Sequence, residues 1–109
     1  MNPAEKSTDQ IRDLLLQHVG EQHCISTGDL VEYLTPLLNR KDLRPGDIAP
    51  ILHDLIYKYR IPLAITPNGY YIIATERELH EYMKYVRGQI NQMMDIYFNL
   101  PMFYHNPSP

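Results

Sequence analysis

The side chains with the most chemistry to offer are basic, and they crowd into one stretch. Residues 40–60 carry five Lys or Arg (Arg40, Lys41, Arg44, Lys58, Arg60) against three acidic groups, a net of +2. Residues 1–39 carry two basic and six acidic groups, a net of −4, and residues 61–109 three and four, a net of −1. Half of the ten Lys and Arg therefore occupy about a fifth of a chain whose overall charge is −3. Clustered guanidinium and ammonium groups hold phosphate, and such asymmetry is a mild nucleic-acid signal. The acidic total argues against a strong, nonspecific polyanion binder. His53, Tyr57 and Lys58 share one face of that stretch and can reach base edges and phosphate from it, Arg40, Lys41, Arg44 and Arg60 flank it, and Asn68 is the polar group at the tip of a later turn. Asp54 points the same way and opposes phosphate, unless it accepts from a cytosine amino group.

Other reactive residues assemble into nothing. His18, His23 and Cys24 lack a fourth ligand at a recognised spacing, so no metal site is expected. His18 also falls on the apolar face of the first helix, where a partly buried structural histidine is the plainer reading. There is no Ser/His/Asp, Cys/His or paired-carboxylate arrangement and no Gly-rich phosphate loop. The expectation is a protein without enzymatic activity, metal or cofactor. Cys24 is the only cysteine, so an internal disulfide is impossible and the thiol packs as a small hydrophobe. The polar start, Met1 to Asp9, lacks the apolar stretch of a signal peptide. The longest apolar runs, such as Leu14–Leu16, are too short for a membrane span. These features point to the cytoplasm and to no membrane partner.

At 109 residues, 44% hydrophobic and 21% charged, the chain suits one globular domain with a thin core, which self-association would enlarge. The spacing predicts a mostly helical α+β order. Ser7 to Gln10 has the spacing of a capping box. Ile11, Leu14, Leu15, His18 and Val19 follow on one helical face, closed by Gly20. Cys24–Ser26 is extended, and Ser26 or Thr27 caps a second helix with Leu30, Val31, Tyr33 and Leu34. Pro36 is expected to interrupt that helix and open a new turn capped by Thr35. After a basic loop, Asp47 caps a third helix, with Pro50 in its first turn and Ile48, Ile51, Leu52, Leu55, Ile56 and Tyr59 on one side.

A hairpin follows. Ile61 to Thr66 and Tyr70 to Ile73 are its strands, and Asn68-Gly69 suits the positive φ angles of a tight turn. Thr75-Glu76-Arg77-Glu78 is a second capping box. The fourth helix has the clearest pattern: Leu79, Met83, Val86, Ile90, Met93, Tyr97 and Leu100 step by four and three, a coiled-coil-like seam. Tyr82, Met94 and Ile96 widen it beyond the needs of a two-stranded seam. Pro101 is expected to end the helix. The organisation is thus a core over 1–74, with a hairpin wing at 61–74, a long helix over 75–100 and an irregular tail over 101–109.

Three helices followed by a hairpin resemble the winged helix-turn-helix family. The stretch from Arg60-Ile61-Pro62-Leu63-Ala64 through Asn68-Gly69-Tyr70-Tyr71-Ile72-Ile73 to Glu78-Leu79 is similar to the wing and following helix of small winged-helix proteins of bacteriophages and mobile elements. The likeness covers roughly residues 25–90. It implies that the third helix, Asp47–Tyr59, is the recognition helix and that Pro67–Gly69 is the wing tip. It would also place the protein in a bacterial host's cytoplasm. One departure is the link from Pro36 to Gly46, longer than the family's usual turn.

Two readings follow. In the first, a homodimeric DNA-binding protein, a phage-type transcriptional regulator or accessory factor, holds double-stranded DNA with Arg40, Lys41, Arg44, His53, Tyr57, Lys58, Arg60 and Asn68. It pairs through Val86, Ile90, Met93, Met94, Tyr97 and Leu100. In the second, the winged helix is a protein-protein interaction module that inhibits or recruits a host protein and binds no DNA. The acidic balance and nine tyrosines without a tryptophan favour the second reading, since interfaces are rich in tyrosine. The basic cluster favours the first.

Overall fold

The computed structural model describes residues 3–107. Contacts divide the chain into one unit up to Glu78 and another from Leu79. The elements are α1 (Pro3–Leu15), a short 3-10 turn (Glu21–His23), α2 (Thr27–Leu37), α3 (Pro45–Tyr59), β1 (Leu63–Thr66), β2 (Gly69–Ile72) and α4 (Glu76–His105). The architecture is mostly helical α+β with one small antiparallel sheet.

The first unit is built from apolar faces at helical spacing. Ile11 and Leu15 of α1, Leu30 and Leu34 of α2, and Ile48, Leu52 and Leu55 of α3 are buried in one cluster with Ile25, Leu43, Ile61, Leu63, Tyr70 and Ile72. No polar or charged residue is buried among the described residues. The core is therefore held by apolar burial, about 25 cal/mol per Å² removed from water.

β2 is the hub. It pairs with β1 from Leu63↔Ile72 to Thr66↔Gly69. On its other edge, Tyr70 and Ile25 exchange backbone hydrogen bonds (2.8 and 2.9 Å), Ile72 donates to His18 O (2.7 Å), and Gly20 donates to Ile72 O (2.8 Å). The connection from α1 to α2 is thus stitched to the hairpin. Gly69 makes this possible. Its φ is +143°, and a Cβ there would lie 2.5 Å from Ile25 O.

This stitching corrects the expected course of α1. The helix starts at Pro3, ahead of the Ser7–Gln10 capping box, and stops at Leu15. His18 and Val19 are not on its face, because their backbone is pulled into extended pairing with Ile72. The extended Cys24–Ser26 segment and the Ser26 cap are observed: Ser26 Oγ accepts from Asp29 N (3.1 Å).

Pro36 does not interrupt α2, which runs through it to Leu37. It sits so near the end that its missing N–H costs little, and Thr35 hydrogen-bonds back to Val31 O (2.8 Å) in place of capping a new turn. Asn39, at φ 53°, closes the helix, with Asn39 N on Pro36 O and Arg40 N on Thr35 O. That is the bond pattern of a Schellman motif.

α3 begins at Pro45, two residues before the expected cap. Asp47 is its third residue and accepts from Arg44 N (3.0 Å). Pro50 consequently falls in the second turn. The hairpin register makes Pro67 and Asn68 the two turn residues. Proline fixes a negative φ at the first of them, and Asn68 is not among the positive-φ residues. The expected Asn-Gly turn is therefore replaced by one in which Gly69 already belongs to the strand.

α4 opens as expected, with Thr75 Oγ1 accepting from Glu78 N (3.1 Å). It then continues through Pro101 to His105, 30 residues in all, so the expected end at Pro101 and most of the irregular tail are corrected. Proline's fixed φ is compatible with helix, and its loss is one hydrogen bond to Tyr97 O. Bonding resumes past it, with Asn106 N on Met102 O (2.8 Å). Ser108 and Pro109 of that tail lie outside the described residues. At 1.5 Å per residue α4 is about 45 Å long. No helix among the described residues is long and apolar enough to cross a membrane.

Gly69→Ala should lower stability by about 2 kcal/mol or more, through both the close approach and the strained φ. Urea denaturation would measure it, and a loss under about 0.5 kcal/mol would contradict the hub role of β2.

Candidate nucleic-acid interface

The core packing of α3 decides which of its side chains are available. With Ile48, Leu52 and Leu55 turned inward, the opposite face carries Pro50, His53, Asp54 and Tyr57, all exposed. Tyr57 is 73% exposed. His53 and Tyr57, one turn apart, hold their rings 5.0 Å apart and tilted. This gives a small aromatic and hydrogen-bonding edge that the core does not consume.

The basic residues are distributed around this edge unequally. Arg40 is tied to acidic neighbours, Asp42 at 3.8 Å and Asp47 at 3.6 Å. These are long, exposed pairs of little strength, yet they offset its charge. Lys41 and Arg44 are exposed and make no ion pair among the described residues, directly before α3. Arg60 follows α3 in the left-handed conformation, φ 53° and ψ 48°, with its N–H on Ile56 O. It too is exposed and without an ion pair among the described residues. Fifteen residues of helix separate these ends by roughly 22 Å.

Lys58 does not join the His53–Tyr57 edge. Its Nζ lies 5.2 Å from the centroid of the Tyr59 ring. Its side chain lines a recess of about 260 Å³ with Thr8 and Ile11 of α1, Leu38, and Ile51, Asp54 and Leu55 of α3. It flanks α3 on the α1 side. Asn68 is exposed at the hairpin tip, and its carbonyl accepts a weak bond from Cys24 Sγ (3.8 Å). Cys24 is half-buried and free. His18 Nδ1–H donates to His23 O (2.9 Å), and no group of three potential metal ligands occurs among the described residues.

The second set of named residues lies on α4, and none of that helix is buried. Val86 is half-buried, while Ile90, Met93, Met94, Tyr97 and Leu100 are exposed, Tyr97 at 76%. The helix past Pro101 adds Met102, Phe103 and Tyr104, also exposed. A signal for this extension was present: Tyr104 falls four residues after Leu100 and continues the seam.

Arg12, Tyr59 and Glu78 titrate away from their ordinary ranges. Arg12 is raised, chiefly by its hydrogen bond to Asp13. The Tyr59 hydroxyl is raised, chiefly by its hydrogen bond to the Asp9 carboxylate, and Arg12 lies over the Tyr59 ring at 4.8 Å. These contacts clamp α1 to the end of α3. Glu78 is lowered, chiefly by Glu21 N–H (2.9 Å) and Ala74 N–H (2.8 Å), which both donate to its carboxylate. None of the three belongs to the His53–Tyr57 edge.

Compared with protein-family models, curated proteins and solved structures, the chain matches none.

Because the folded pKa of Glu78 is depressed, its contribution is present above the unfolded pKa and lost as pH falls through the folded value. Glu78→Gln should therefore lower the melting temperature near neutrality and converge on the unmodified protein as pH drops below about 4. A difference between the two that stays constant from neutral to acid pH would refute this.

Proposed function

We propose that this chain is a winged-helix protein that binds double-stranded DNA as a homodimer, with α3 as the recognition helix and α4 as the pairing helix. The order of three helices, hairpin and long helix supports the fold reading, as does the pairing of Ile25 with β2 ahead of α2. The observation that carries the function is the outer edge of α3. His53 and Tyr57 are exposed and poised to reach base edges, with Lys41, Arg44 and Arg60 at its ends to hold phosphate. Such a division, base contacts from the helix and phosphate contacts beside it, is how sequence and affinity are separated in DNA recognition. A transcriptional regulator or DNA-associated accessory factor of phage type fits these parts.

The pairing half rests on α4. A helix with Ile90, Met93, Met94, Tyr97 and Leu100 exposed together presents more apolar surface than an isolated domain carries at ease. Two-fold pairing would double the phosphate contacts and predict a palindromic site.

One observation favours a second reading, a protein-binding winged helix that inhibits or recruits a host protein. With Lys58 on the α1 side, beside Asp54 in the same recess, the His53–Tyr57 edge of α3 itself carries no Lys or Arg. Salt dependence separates the two readings.

For DNA binding, fluorescence anisotropy should show affinity falling steeply with salt, the logarithmic slope growing by about 0.9 for each phosphate contacted. Lys41→Glu, Arg44→Glu and Arg60→Glu together should abolish binding while leaving circular dichroism unchanged. Absence of binding to any duplex at low salt would leave the protein-binding reading standing. For pairing, light scattering should give a mass above one chain, and Ile90→Asp with Met93→Asp should return it to one. An unchanged mass in that variant would remove α4 from the interface.

A further inference from the structure

Between Gly46 and Tyr57 the sequence holds no Lys, Arg, Asn or Gln. Those are the side chains that make two hydrogen bonds to one base, Arg or Lys to guanine and Asn or Gln to adenine. The polar residues of the stretch are Asp47, His53, Asp54 and Tyr57. Two of them are engaged elsewhere. Asp47 accepts from Arg44 N (3.0 Å) and lies 3.6 Å from the Arg40 guanidinium. Asp54 lines the recess on the α1 side with Lys58. At about 100° per residue, Gly46, Pro50, His53 and Tyr57 occupy the middle of the face opposite Ile48, Leu52 and Leu55. Ale49 lies beside them, and all five are exposed.

This edge can approach a groove floor closely, because its amino-terminal half carries no side chain longer than a proline ring. What it offers there is limited. A neutral imidazole has one N–H and one bare nitrogen. His53 can thus donate one bond to purine N7, an acceptor that adenine and guanine share. Such a bond tells a purine from a pyrimidine, but not A·T from G·C. The rest of the edge is apolar: the ring of Tyr57, a residue 73% exposed, with Pro50 and Ala49. The apolar feature of the major groove is the C5-methyl of thymine. The His53 and Tyr57 ring centroids are 5.0 Å apart, and stacked base pairs rise by about 3.4 Å. The two rings therefore fit one base pair and its neighbour.

We infer that the α3 edge selects A·T pairs through the thymine methyl, with the Tyr57 ring covering the methyl and His53 donating to purine N7 of the adjoining pair. The inference rests on the DNA reading proposed above and requires nothing of the pairing through α4. Lys41, Arg44 and Arg60 hold phosphate and set affinity without choosing sequence. Tyr57 makes the choice, and each methyl it covers is worth roughly fourfold in affinity.

The test is fluorescence anisotropy with three duplexes at one low salt concentration. They are alternating adenine–thymine, the same duplex with deoxyuridine for thymidine, which lacks only the methyl, and alternating guanine–cytosine. The adenine–thymine duplex should bind most tightly, about fourfold or more above its deoxyuridine counterpart. Tyr57→Ala should weaken it to the level of that counterpart, with helicity by circular dichroism unchanged. Tyr57→Phe should keep the gap, because the ring and not the hydroxyl makes the contact. Equal binding of the thymidine and deoxyuridine duplexes by the unmodified protein overturns the inference. So does a gap that survives Tyr57→Ala, a gap lost in Tyr57→Phe, or tightest binding to guanine–cytosine; each of these leaves DNA binding intact. Binding to none of the three duplexes sinks the DNA reading itself.

Discussion

The first unit depends on one backbone crossing, the approach of residue 69 to Ile25. β2 is a strand of four residues, too short to make a stable sheet with β1 alone. It becomes stable by being shared: β1 takes one edge, and Ile25, His18 and Gly20 take the other. Sharing requires the segment before α2 to lie flat against the strand, and a side chain at residue 69 would meet the Ile25 carbonyl. Only glycine satisfies both that distance and a φ of +143°. The turn of the hairpin, the end of α1 and the start of α2 all follow from this contact.

Once that crossing is set, the three helices have little freedom. α3 turns Ile48, Leu52 and Leu55 into the buried cluster it shares with α1 and α2, which leaves His53 and Tyr57 outside. The basic segment is bracketed by the only two non-glycine residues with positive φ among the described residues, Asn39 and Arg60. Asparagine enters that conformation readily; arginine pays about 1 kcal/mol for it. Glycine would close α3 without strain. Retaining arginine there keeps a guanidinium at the carboxyl end of the helix, where the helix dipole favours a cation. An observed strained residue beside an exposed edge is the kind of outlier that motivates a functional reading.

Much of this was legible in the sequence, and the misses have physical causes. The apolar faces of α2 and α3, the Ser26 cap, the two strands and the start of α4 all follow from local periodicity and capping, which act within a few residues. The end of α1 did not, because His18 and Val19 continue a helical pattern while a distant strand claims their backbone; tertiary pairing overrides propensity there. Two prolines were misread for one shared reason. Pro36 and Pro101 read as breakers, yet a proline already inside a helix near its end forfeits only one bond; Pro50 was expected inside the third helix and lies there, in its second turn rather than its first. Of the site residues, the exposed His53–Tyr57 edge was readable from the wheel. The departure of Lys58 to the α1 side was not, because it depends on Tyr59 and on a recess formed by residues from three helices.

The last helix poses a stability problem that its own sequence cannot solve. No residue of α4 is buried. Gly88 in its middle and Pro101 near its end each weaken it, by about 1 and about 3 kcal/mol. Isolated helices in water are marginal even with good helix formers, and in proteins most helical stability comes from packing an apolar face. Local support includes the first turn, where Thr75 and Glu78 satisfy free N–H groups. Beyond Gly88 only Asn99, bonded to Asp95 O (2.8 Å), adds a polar tie among the described residues. The regular course of α4 through Pro101 reflects a φ that proline shares with helix, at the loss of one bond to Tyr97 O, and the uncharged, apolar turn around it is left exposed.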